Sequence, residues 1–383
     1  MRLSKSVIAG LATTAVAASG LAGSALTTQS SQAGTSAGVK MNQIQVIGSH
    51  NSYHREVSDA EKKIQFGQRP DSVDLWYSHA PLSQQLEDQN VRQLELDLFP
   101  DPNGGLYTYP LIRKIAGLPA LTDPELSKPG IKVMHIVDVD YNTVCRSFKQ
   151  CLQQVKTWSD AHPYHAPIVF NLELKQSDPA IVAQGGVKAP PWDAANLNSV
   201  DAEIRSVFSE QQLLSPDDVR KSGLTLEQSV TTKGWPTLKN AAGKVLFYFD
   251  NGGPGAIRDA YRDGKPNLEG RAVFTRGPEG EPDAAITNVN DPRGANTAEI
   301  QRLVTKGYLV RTRSDEPLST IRNNEFSRVG VALGSGAQFV STDFPVAGMA
   351  SRYDSDFVAE LPGDTPVRLN PVTGKPGARV AER

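Results

Sequence analysis

Residues 91–99 read VRQLELDLF, an alternation of polar and apolar side chains that predicts a β-strand. Side chains of a strand point alternately to its two faces, so Glu95 and Asp97 share one face and the leucines share the other. Other short runs rich in apolar and β-branched residues are predicted as strands too: residues 43–48, 131–138, 167–174, 244–250, 271–276, 307–313 and 337–343. The chain is therefore predicted to contain eight strands.

Helical patterns separate these strands, for example at residues 151–159, 198–214 and 297–304. Strands separated by helices pair in parallel, and eight such units predict an α/β protein with a single TIM-type (β/α)8 barrel. Polar residues end most of the predicted strands, and the active site of such a barrel lies at the C-terminal ends of its strands. We therefore expect the functional residues at that face.

The predicted barrel spans residues 41–361 and has a long insertion at about 176–243. The insertion is interpreted as a flap rather than a second domain. Residues 362–383 are rich in Pro, Gly and Arg and are predicted to form a flexible tail.

The N-terminus has the pattern of an export signal. Arg2 and Lys5 precede a small-apolar run from Val7 to Leu26, and small residues suited to cleavage follow near Ala25 or Ala33. We therefore expect residues 1–33 to be a signal peptide and leader, and the mature protein to be secreted. No other segment is apolar enough to predict a transmembrane helix.

The chain has two cysteines, Cys145 and Cys151. In an exported protein such a pair predicts a disulfide, and two unpaired thiols are the alternative. Six residues of regular helix would separate the two Cα atoms by roughly 9 Å, which is too far for a bridge. A disulfide therefore requires a turn between the cysteines, or Cys145 lying before a helix that contains Cys151.

The overall charge gives no support for nucleic-acid binding. The sequence holds 40 basic and 42 acidic residues, a formal net charge of -2, whereas such binding needs an excess of basic residues on one face.

Four oxygen-bearing side chains near predicted strand ends indicate a metal site: Asn51, Glu95, Asp97 and Glu173. Carboxylates that share the inside of a barrel repel one another unless a cation neutralises them. An all-oxygen set favours Ca²⁺ or Mg²⁺, and Ca²⁺ tolerates the irregular geometry expected here. The alternative is that the carboxylates pair with Arg or Lys across the barrel.

Two histidines at predicted strand ends, His50 and His135, suit phosphodiester chemistry because imidazoles can stabilise phosphoryl oxygens and move protons. Asp138 and Asp140 can orient His135. The other histidines are interpreted as surface or locally hydrogen-bonded residues: His54, His79, His162 and His165. Three cations, Lys175, Arg311 and Arg313, can bind a phosphate or sugar hydroxyls, or can pair with nearby carboxylates instead.

Four motifs occur in the order found in a known enzyme family: SHNSY at residues 49–53, LELD at 94–97, the strand histidine His135, and LE at 172–173. The set resembles the catalytic X domain of phosphatidylinositol-specific phospholipase C, and its calcium-dependent, secreted bacterial branch in particular. STDFP at residues 341–345 also suits the eighth strand of that superfamily.

The resemblance implies a site and a reaction. His50 and His135 would be catalytic, and Asn51, Glu95, Asp97 and Glu173 would bind Ca²⁺. An inositol hydroxyl would attack the phosphodiester of a phospholipid at a membrane surface, so that diacylglycerol leaves and a cyclic inositol phosphate forms. His50 would stabilise the phosphoryl oxygens, and His135 would protonate the leaving oxygen.

The metal-independent bacterial branch has His-Asp where this chain has His50-Asn51, and the acidic set argues against that branch here. One motif departs from the family: its usual His-Gly-His around the second histidine is Met-His-Ile at 134–136. Two alternatives to this family also stand. A glycerophosphodiester phosphodiesterase shares the barrel and the Glu-x-Asp pair, but its His-Arg-Gly and Glu-Asn-Thr signatures are absent from the sequence. A non-catalytic barrel that binds headgroups or sugars is the second alternative.

Overall fold

A central β-sheet and its surrounding helices are described for residues 38–316 and 318–382 in a computed structural model. The predicted signal peptide and leader at residues 1–33 lie outside the described residues. The strands, in chain order, are β1 (Ile44–Ser49), β2 (Val91–Phe99), β3 (Lys132–Val133), β4 (Ile168–Leu174), β5 (Val245–Phe249), β6 (Val273–Phe274), β7 (Ile286–Asn288), β8 (Leu309–Arg313), β9 (Phe339–Thr342) and β10 (Arg368–Leu369).

Helices occupy most of the connections between the strands. They are α1 (Asp59–Gln68), α2 (Leu82–Asp88), α3 (Leu111–Ile115), α4 (Phe148–Ala161), α5 (Pro179–Ala183), α6 (Ala194–Val207), α7 (Pro216–Val219), α8 (Leu226–Gln228), α9 (Leu238–Ala241), α10 (Ala256–Arg262), α11 (Ala295–Lys306), α12 (Ser319–Arg322) and α13 (Phe326–Gly334). Short 3-10 turns lie at Met41–Gln43, Pro70–Leu75, Pro124–Ser127 and Met349–Tyr353, and a π-helical turn lies at Ser229–Lys233. Within the described residues, no helix combines the length and the apolar character needed to cross a bilayer.

Eight strands run parallel in the order β6, β5, β4, β2, β1, β9, β8, β7. Among the described residues no ladder joins β6 to β7, so the barrel is nearly closed. The predicted fold class, a single α/β barrel of the TIM type, is confirmed.

The prediction of a barrel strand over residues 131–138 is wrong. Only β3 is extended there, and it pairs antiparallel with the end of β2, with Val133 opposite Leu98. The chain then turns back on itself, and Ile136 pairs with Asp140. The parallel strand missing from the prediction is β7, whose three residues are too few to show a strand pattern in the sequence.

Two of the predicted helices are confirmed, with slightly longer bounds, as α4 and α11. The third, predicted over residues 198–214, ends at Val207, because Phe208 is extended and Leu213 pairs with Val245 at the start of β5. On α4 the buried face includes Phe148 and Leu152, which belong to the same apolar core as the outward-facing leucines of β2. This packing leaves the other face of β2 for the barrel interior.

The register of the barrel brings polar side chains side by side near its C-terminal end. Asp97 on β2 pairs with Glu173 on β4, and the two strands stay in register from Gln93 onward. On β1, a Cβ at Gly48 would lie 2.0 Å from Gln93 Oε1, so only glycine leaves room for this interior glutamine. Gln93 is buried and lies two residues before Glu95 on the same face of β2.

The disulfide between Cys145 and Cys151 is present, with the two Cα atoms 5.2 Å apart. Cys145 lies before α4 and Cys151 lies inside it, which is one of the two arrangements that the sequence spacing allows. Ser147, between them, caps the helix by accepting a hydrogen bond from the Gln150 backbone amide.

The long connection between β4 and β5 contains α5 to α9 and packs closely against the barrel. Its two tryptophans, Trp192 and Trp235, are buried in the main core and are therefore not available to contact a membrane. Within residues 362–383, predicted as a flexible tail, β10 pairs with β1. Nearer the end, Glu382 forms an ion pair with the buried Arg92, which holds the segment against the barrel.

Candidate active site

The mouth at the C-terminal ends of the barrel strands collects the residues predicted for the site. They lie on a strand or shortly after one: His50 and Asn51 after β1, Glu95 and Asp97 on β2, His135 after β3, Glu173 on β4, Lys175 after β4, and Arg311 and Arg313 on β8. Parallel strands put all of these positions at one end of the barrel, apart from His135, which reaches the mouth from the antiparallel β3.

Three carboxylates form a cluster at this mouth. Glu95, Asp97 and Glu173 each offer an oxygen, and these atoms lie within 4.8 Å of one another. Burial, and then the charge of Glu173, raises the pKa of Asp97 well above its ordinary value. Burial raises the pKa of Glu95 to about 7, although the positive charge of Arg311 opposes the shift. Such a cluster carries a repulsion that a bound cation would relieve.

Two cations lie beside the cluster. Lys175 Nζ is 3.1 Å from Asp97 Oδ2 and 3.3 Å from Glu173 Oε1, and Arg311 Nη2 donates to Glu95 Oε2 at 2.5 Å. Burial alone would lower the pKa of Lys175, but the two carboxylates raise it. The alternative of ion pairs across the barrel is therefore correct for part of the acidic cluster. Lys175, Arg311 and Arg313, which the sequence suggested as substrate-binding residues, also contact carboxylates.

The donors nevertheless fit a calcium ion. Three carboxylates face two cations, and Asp97 Oδ1 is buried with no hydrogen-bond partner among the described residues. All of the donors are oxygen atoms, which is the ligand chemistry that Ca²⁺ prefers.

Asn51 lies next to this cluster in an unusual backbone conformation. Its φ is 45°, in the left-handed region that asparagine tolerates better than most residues, and it is buried. The Asn51 amide donates to Tyr77 Oη at 3.2 Å, and Asn51 Oδ1 accepts from Tyr53 Oη at 3.4 Å. Burial and the nearby charge of Asp97 raise the pKa of Tyr53, so its hydroxyl stays protonated near the acidic cluster.

His50 lies between two carboxylates. Its Nδ1 is 2.8 Å from Asp343 Oδ1, and its Nε2 is 3.7 Å from Glu95 Oε1. Burial lowers the pKa of His50 well below its ordinary value of 6.5, and the charges of Arg313 and Arg311 lower it further. A neutral His50 that donates from Nδ1 to Asp343 keeps Nε2 free to accept a proton.

His135 is held by the turn that follows β3. Its Nδ1 is 2.8 Å from Asp140 Oδ2, so of the two aspartates that the sequence offered, Asp140 is the one that contacts it. Asp138 instead accepts backbone hydrogen bonds from Leu111, at 2.7 Å, and from Val187. The charge of His135 is one of the smaller causes of the lowered pKa of His50.

Sequence reasoning missed several contributors. Asp343 contacts both His50 and Arg313, but the sequence offers it no role beyond its place in the STDFP run at residues 341–345. Asn290 and Ser341 bind the Arg311 guanidinium at 2.8 Å and 3.1 Å. Asp343 had a signal, since it ends the last predicted strand, but Asn290 follows the short strand β7 that the pattern did not reveal.

A parallel barrel whose mouth holds an acidic cluster, two imidazoles and several cations is the arrangement of a metal-assisted phosphodiesterase. The chain belongs to the family described as phosphoinositide phospholipase C, Ca²⁺-dependent, whose model matches residues 39–371. The protein is therefore a calcium-dependent enzyme of the phosphatidylinositol-specific phospholipase C class. No curated protein matches the chain by sequence.

Solved structures share the fold. A calcium-dependent phosphoinositol-specific phospholipase C from Pseudomonas sp. is 18% identical, with a TM-score of 0.52 over 87% of this chain and 96% of that chain. A Ca²⁺-dependent phosphatidylinositol-specific phospholipase C from Streptomyces antibioticus is 17% identical, with a TM-score of 0.51 over 87% of this chain and 99% of that one.

Proposed function

We propose that this phosphodiesterase cleaves phosphatidylinositol to diacylglycerol and a cyclic inositol phosphate, with His50 and His135 as its catalytic residues. The position of His50, between Asp343 and the acidic cluster, carries the proposal. A neutral imidazole oriented by one carboxylate and open on its other side suits proton transfer to or from a bound hydroxyl. Family membership supports the substrate class.

The residues divide the reaction between them. His50 Nε2 accepts the proton of an inositol hydroxyl as its oxygen attacks the phosphorus, and His135 gives a proton to the glycerol oxygen as the phosphorus–oxygen bond breaks. This makes His50 a base rather than the phosphoryl stabiliser predicted from the resemblance, because its lowered pKa leaves it without a second proton to donate. The scheme balances, with one proton taken up and one released.

Calcium would be held by Glu95, Asp97 and Glu173, with Asn51 beside them. When bound, it lowers the pKa of the attacking hydroxyl and stabilises negative charge on the phosphoryl group. Lys175 pairs with two of these carboxylates, Asp97 and Glu173, so a cation held there would replace its ion pairs and leave the lysine to bind phosphate.

Arg311 and Arg313 suit the phosphoryl oxygens. Each has a buried Nε–H without a hydrogen-bond partner among the described residues, while Arg311 Nη2 donates to Glu95 and Arg313 Nη2 donates to Asp343. Guanidinium groups bind phosphate oxygens strongly, particularly where water is excluded. The unused donors support a substrate role in addition to the ion pairs.

The substrate lies in a membrane, and the rim of the mouth suits such a surface. Phe66 on α1 and Ile115 on α3 are 49% and 53% exposed, and these two helices contact each other on the mouth side of β1 and β2. The exposed Lys63 and Lys114 lie on the same two helices. Apolar side chains interleaved with lysines favour anionic lipid surfaces, so this rim is the candidate membrane contact.

Two features support export of the protein. The Cys145–Cys151 disulfide is of a kind that persists in oxidising compartments, and residues 1–33 have the pattern of a signal peptide. Mass spectrometry of the protein recovered from the culture medium should give a mature N-terminus near Ala25 or Ala33. An intact N-terminus in the cell fraction would contradict export.

A substrate panel tests the proposed function. Wild-type protein with Ca²⁺ should release diacylglycerol from phosphatidylinositol and should leave glycerophosphodiesters uncut, and the His135→Ala variant should bind the lipid without turning it over. Faster cleavage of glycerophosphocholine would favour the glycerophosphodiesterase alternative. Binding of lipid without turnover by the wild type would favour a non-catalytic barrel.

A further inference from the structure

His54 is a buried histidine with no part in the proposed proton transfers. It lies in the turn after β1 and is fully buried, although the sequence placed it among surface or locally bonded residues. Its Nδ1 is 3.0 Å from the Tyr77 carbonyl oxygen, and its Nε2 is 2.8 Å from Asp140 Oδ2. The same carboxylate oxygen lies 2.8 Å from His135 Nδ1. Asp140 Oδ2 is therefore the hydrogen-bond partner of both imidazoles.

The partners of His54 define its hydrogens. A carbonyl oxygen and an ionised carboxylate both accept hydrogen bonds and cannot donate them. A neutral imidazole has only one N–H to donate. Both contacts are satisfied only when His54 carries two protons. The stacked ring of Tyr77, with centroids 4.4 Å apart, provides an aromatic face for the resulting cation.

Asp140 depends on this arrangement. It is buried, and its Oδ1 has no hydrogen-bond partner among the described residues, so the two histidines are what holds the carboxylate. Burial would raise the pKa of Asp140, but the charges and hydrogen bonds of His54 and His135 lower it to about 2. Without His54, the carboxylate would keep one partner, and a buried carboxylate so poorly paired is costly.

We infer that His54 is a positioning residue for His135: it holds the Asp140 carboxylate so that Oδ2 accepts the Nδ1 proton of His135 and leaves Nε2 of His135 for the substrate. The inference rests on the proposed role of His135 as the acid. It does not require His54 to change its charge during turnover.

A metal ion held by the same three residues is the competing interpretation, since their ligand atoms lie within 4.8 Å of one another. The two nitrogen–oxygen distances of 2.8 Å are hydrogen-bond lengths, and both end on one oxygen. An ion bridging these groups would take the place of the hydrogen bonds.

The wild-type protein gives the first test. Two-dimensional ¹H–¹⁵N spectra of the histidine rings at neutral pH should show both nitrogens of His54 protonated and Nδ1 of His135 carrying a proton. A neutral His54, or a His135 protonated on Nε2 alone, would overturn the inference, as would a tightly bound metal at this position in elemental analysis.

Variants give the second test. General acid catalysis contributes roughly 10²–10⁴-fold, so a loosened His135 should cost about 10-fold or more in kcat. His54→Leu should lower kcat by that amount with little change in KM, and His54→Gln, whose amide still donates to Asp140, should recover part of the loss. The Asp140→Asn variant combined with His54→Leu should be no slower than Asp140→Asn alone, because both act through one contact.

His165→Gln is the matched control, since His165 is also buried and bonded on both nitrogens, to Ser159 and the Ala166 carbonyl, away from the mouth. It should keep the wild-type kcat. Folded His54→Leu and His54→Gln with wild-type kcat would refute the inference while His135→Ala stays inactive. Activity in His135→Ala would instead refute the proposed function.

Discussion

His50 Nδ1 lies 2.8 Å from Asp343 Oδ1, and this contact joins the residue that follows β1 to the residue that follows β9. The neighbouring strands are in register, with Ser49 opposite Thr342, so the two side chains emerge at the same height in the mouth. The Asp343 backbone amide is in turn fixed by Asp315 Oδ2 at 3.0 Å. Asp343 therefore orients the His50 ring: it holds Nδ1 of His50 as a donor and leaves Nε2 as the acceptor.

Asp343→Asn should lower kcat by on the order of 10²-fold, because an amide can turn its NH₂ toward His50 and favour the wrong tautomer. Steady-state kinetics on phosphatidylinositol would measure this, with thermal denaturation to verify folding. Asp201→Asn should keep kcat, because Asp201 is a buried aspartate on the outer helix α6 that accepts a hydrogen bond from Tyr261 on α10. Equal kcat in wild type and Asp343→Asn would remove Asp343 from the mechanism.

Asp97→Asn should weaken calcium binding by roughly 10-fold or more, because ligand charge sets the affinity of such sites. Calorimetric titration would measure the dissociation constant. The matched control is Asp101→Asn, at a buried aspartate just after β2 whose partner is Lys132, 3.3 Å away. An unchanged calcium affinity in Asp97→Asn would exclude this carboxylate as a ligand.

Replacing Phe66 and Ile115 by serine should weaken binding to vesicles containing phosphatidylinositol, since both side chains are exposed on the mouth side and lose apolar contact. Sedimentation of vesicles would measure binding. Cleavage of a short-chain, monomeric substrate should stay near wild type. As a control, Tyr164→Ser changes a side chain that is 65% exposed before β4, at the opposite end of the barrel. Equal vesicle binding by the rim variant and this control would contradict the assigned surface.

His79 should make the protein less stable in acid. Burial lowers its pKa to about 4, while its backbone partner, the His50 carbonyl, accepts from Nε2. As pH falls below 6.5, the unfolded chain takes up this proton first, so the contribution to the free energy of unfolding is intact above pH 6.5 and is lost toward pH 4.

The loss at pH 4 amounts to about 3 kcal/mol. His79→Gln retains a donor for the His50 carbonyl but cannot titrate. Urea unfolding between pH 7 and 4 should therefore show a smaller loss of stability for His79→Gln than for the wild type. Parallel pH curves for the two proteins would contradict the assigned burial of His79.

The sequence predicts those strands that are long enough to show a clear alternation of polar and apolar side chains. The alternation in β2 predicts the shared face of Glu95 and Asp97, and the register with β4 then adds Glu173. The strand β7 is too short to show a period, and the apolar run at 131–138 looks like a strand although most of it is a turn. The periodicity of apolar residues indicates which side chains are buried, but it does not identify the segment with which a strand pairs.

Contacts between distant residues were the other limit. His54 is hidden because nothing in its neighbourhood marks it as buried, and its partner Asp140 is 86 residues away. The pairing of Glu95 with Arg311 spans 216 residues. Single-sequence patterns constrain near neighbours along an element, so they indicate candidate site residues but not the distant residues that contact them.

Phosphorus NMR of phosphatidylinositol vesicles, followed over time with the wild type and with His50→Ala, tests the account most directly. With Ca²⁺ the wild type should produce a cyclic inositol phosphate resonance, and excess chelator should abolish it. His50→Ala with Ca²⁺ should be slower by on the order of 10³-fold. The same product at the same rate in excess chelator, or from His50→Ala, would contradict the calcium-assisted mechanism centred on His50.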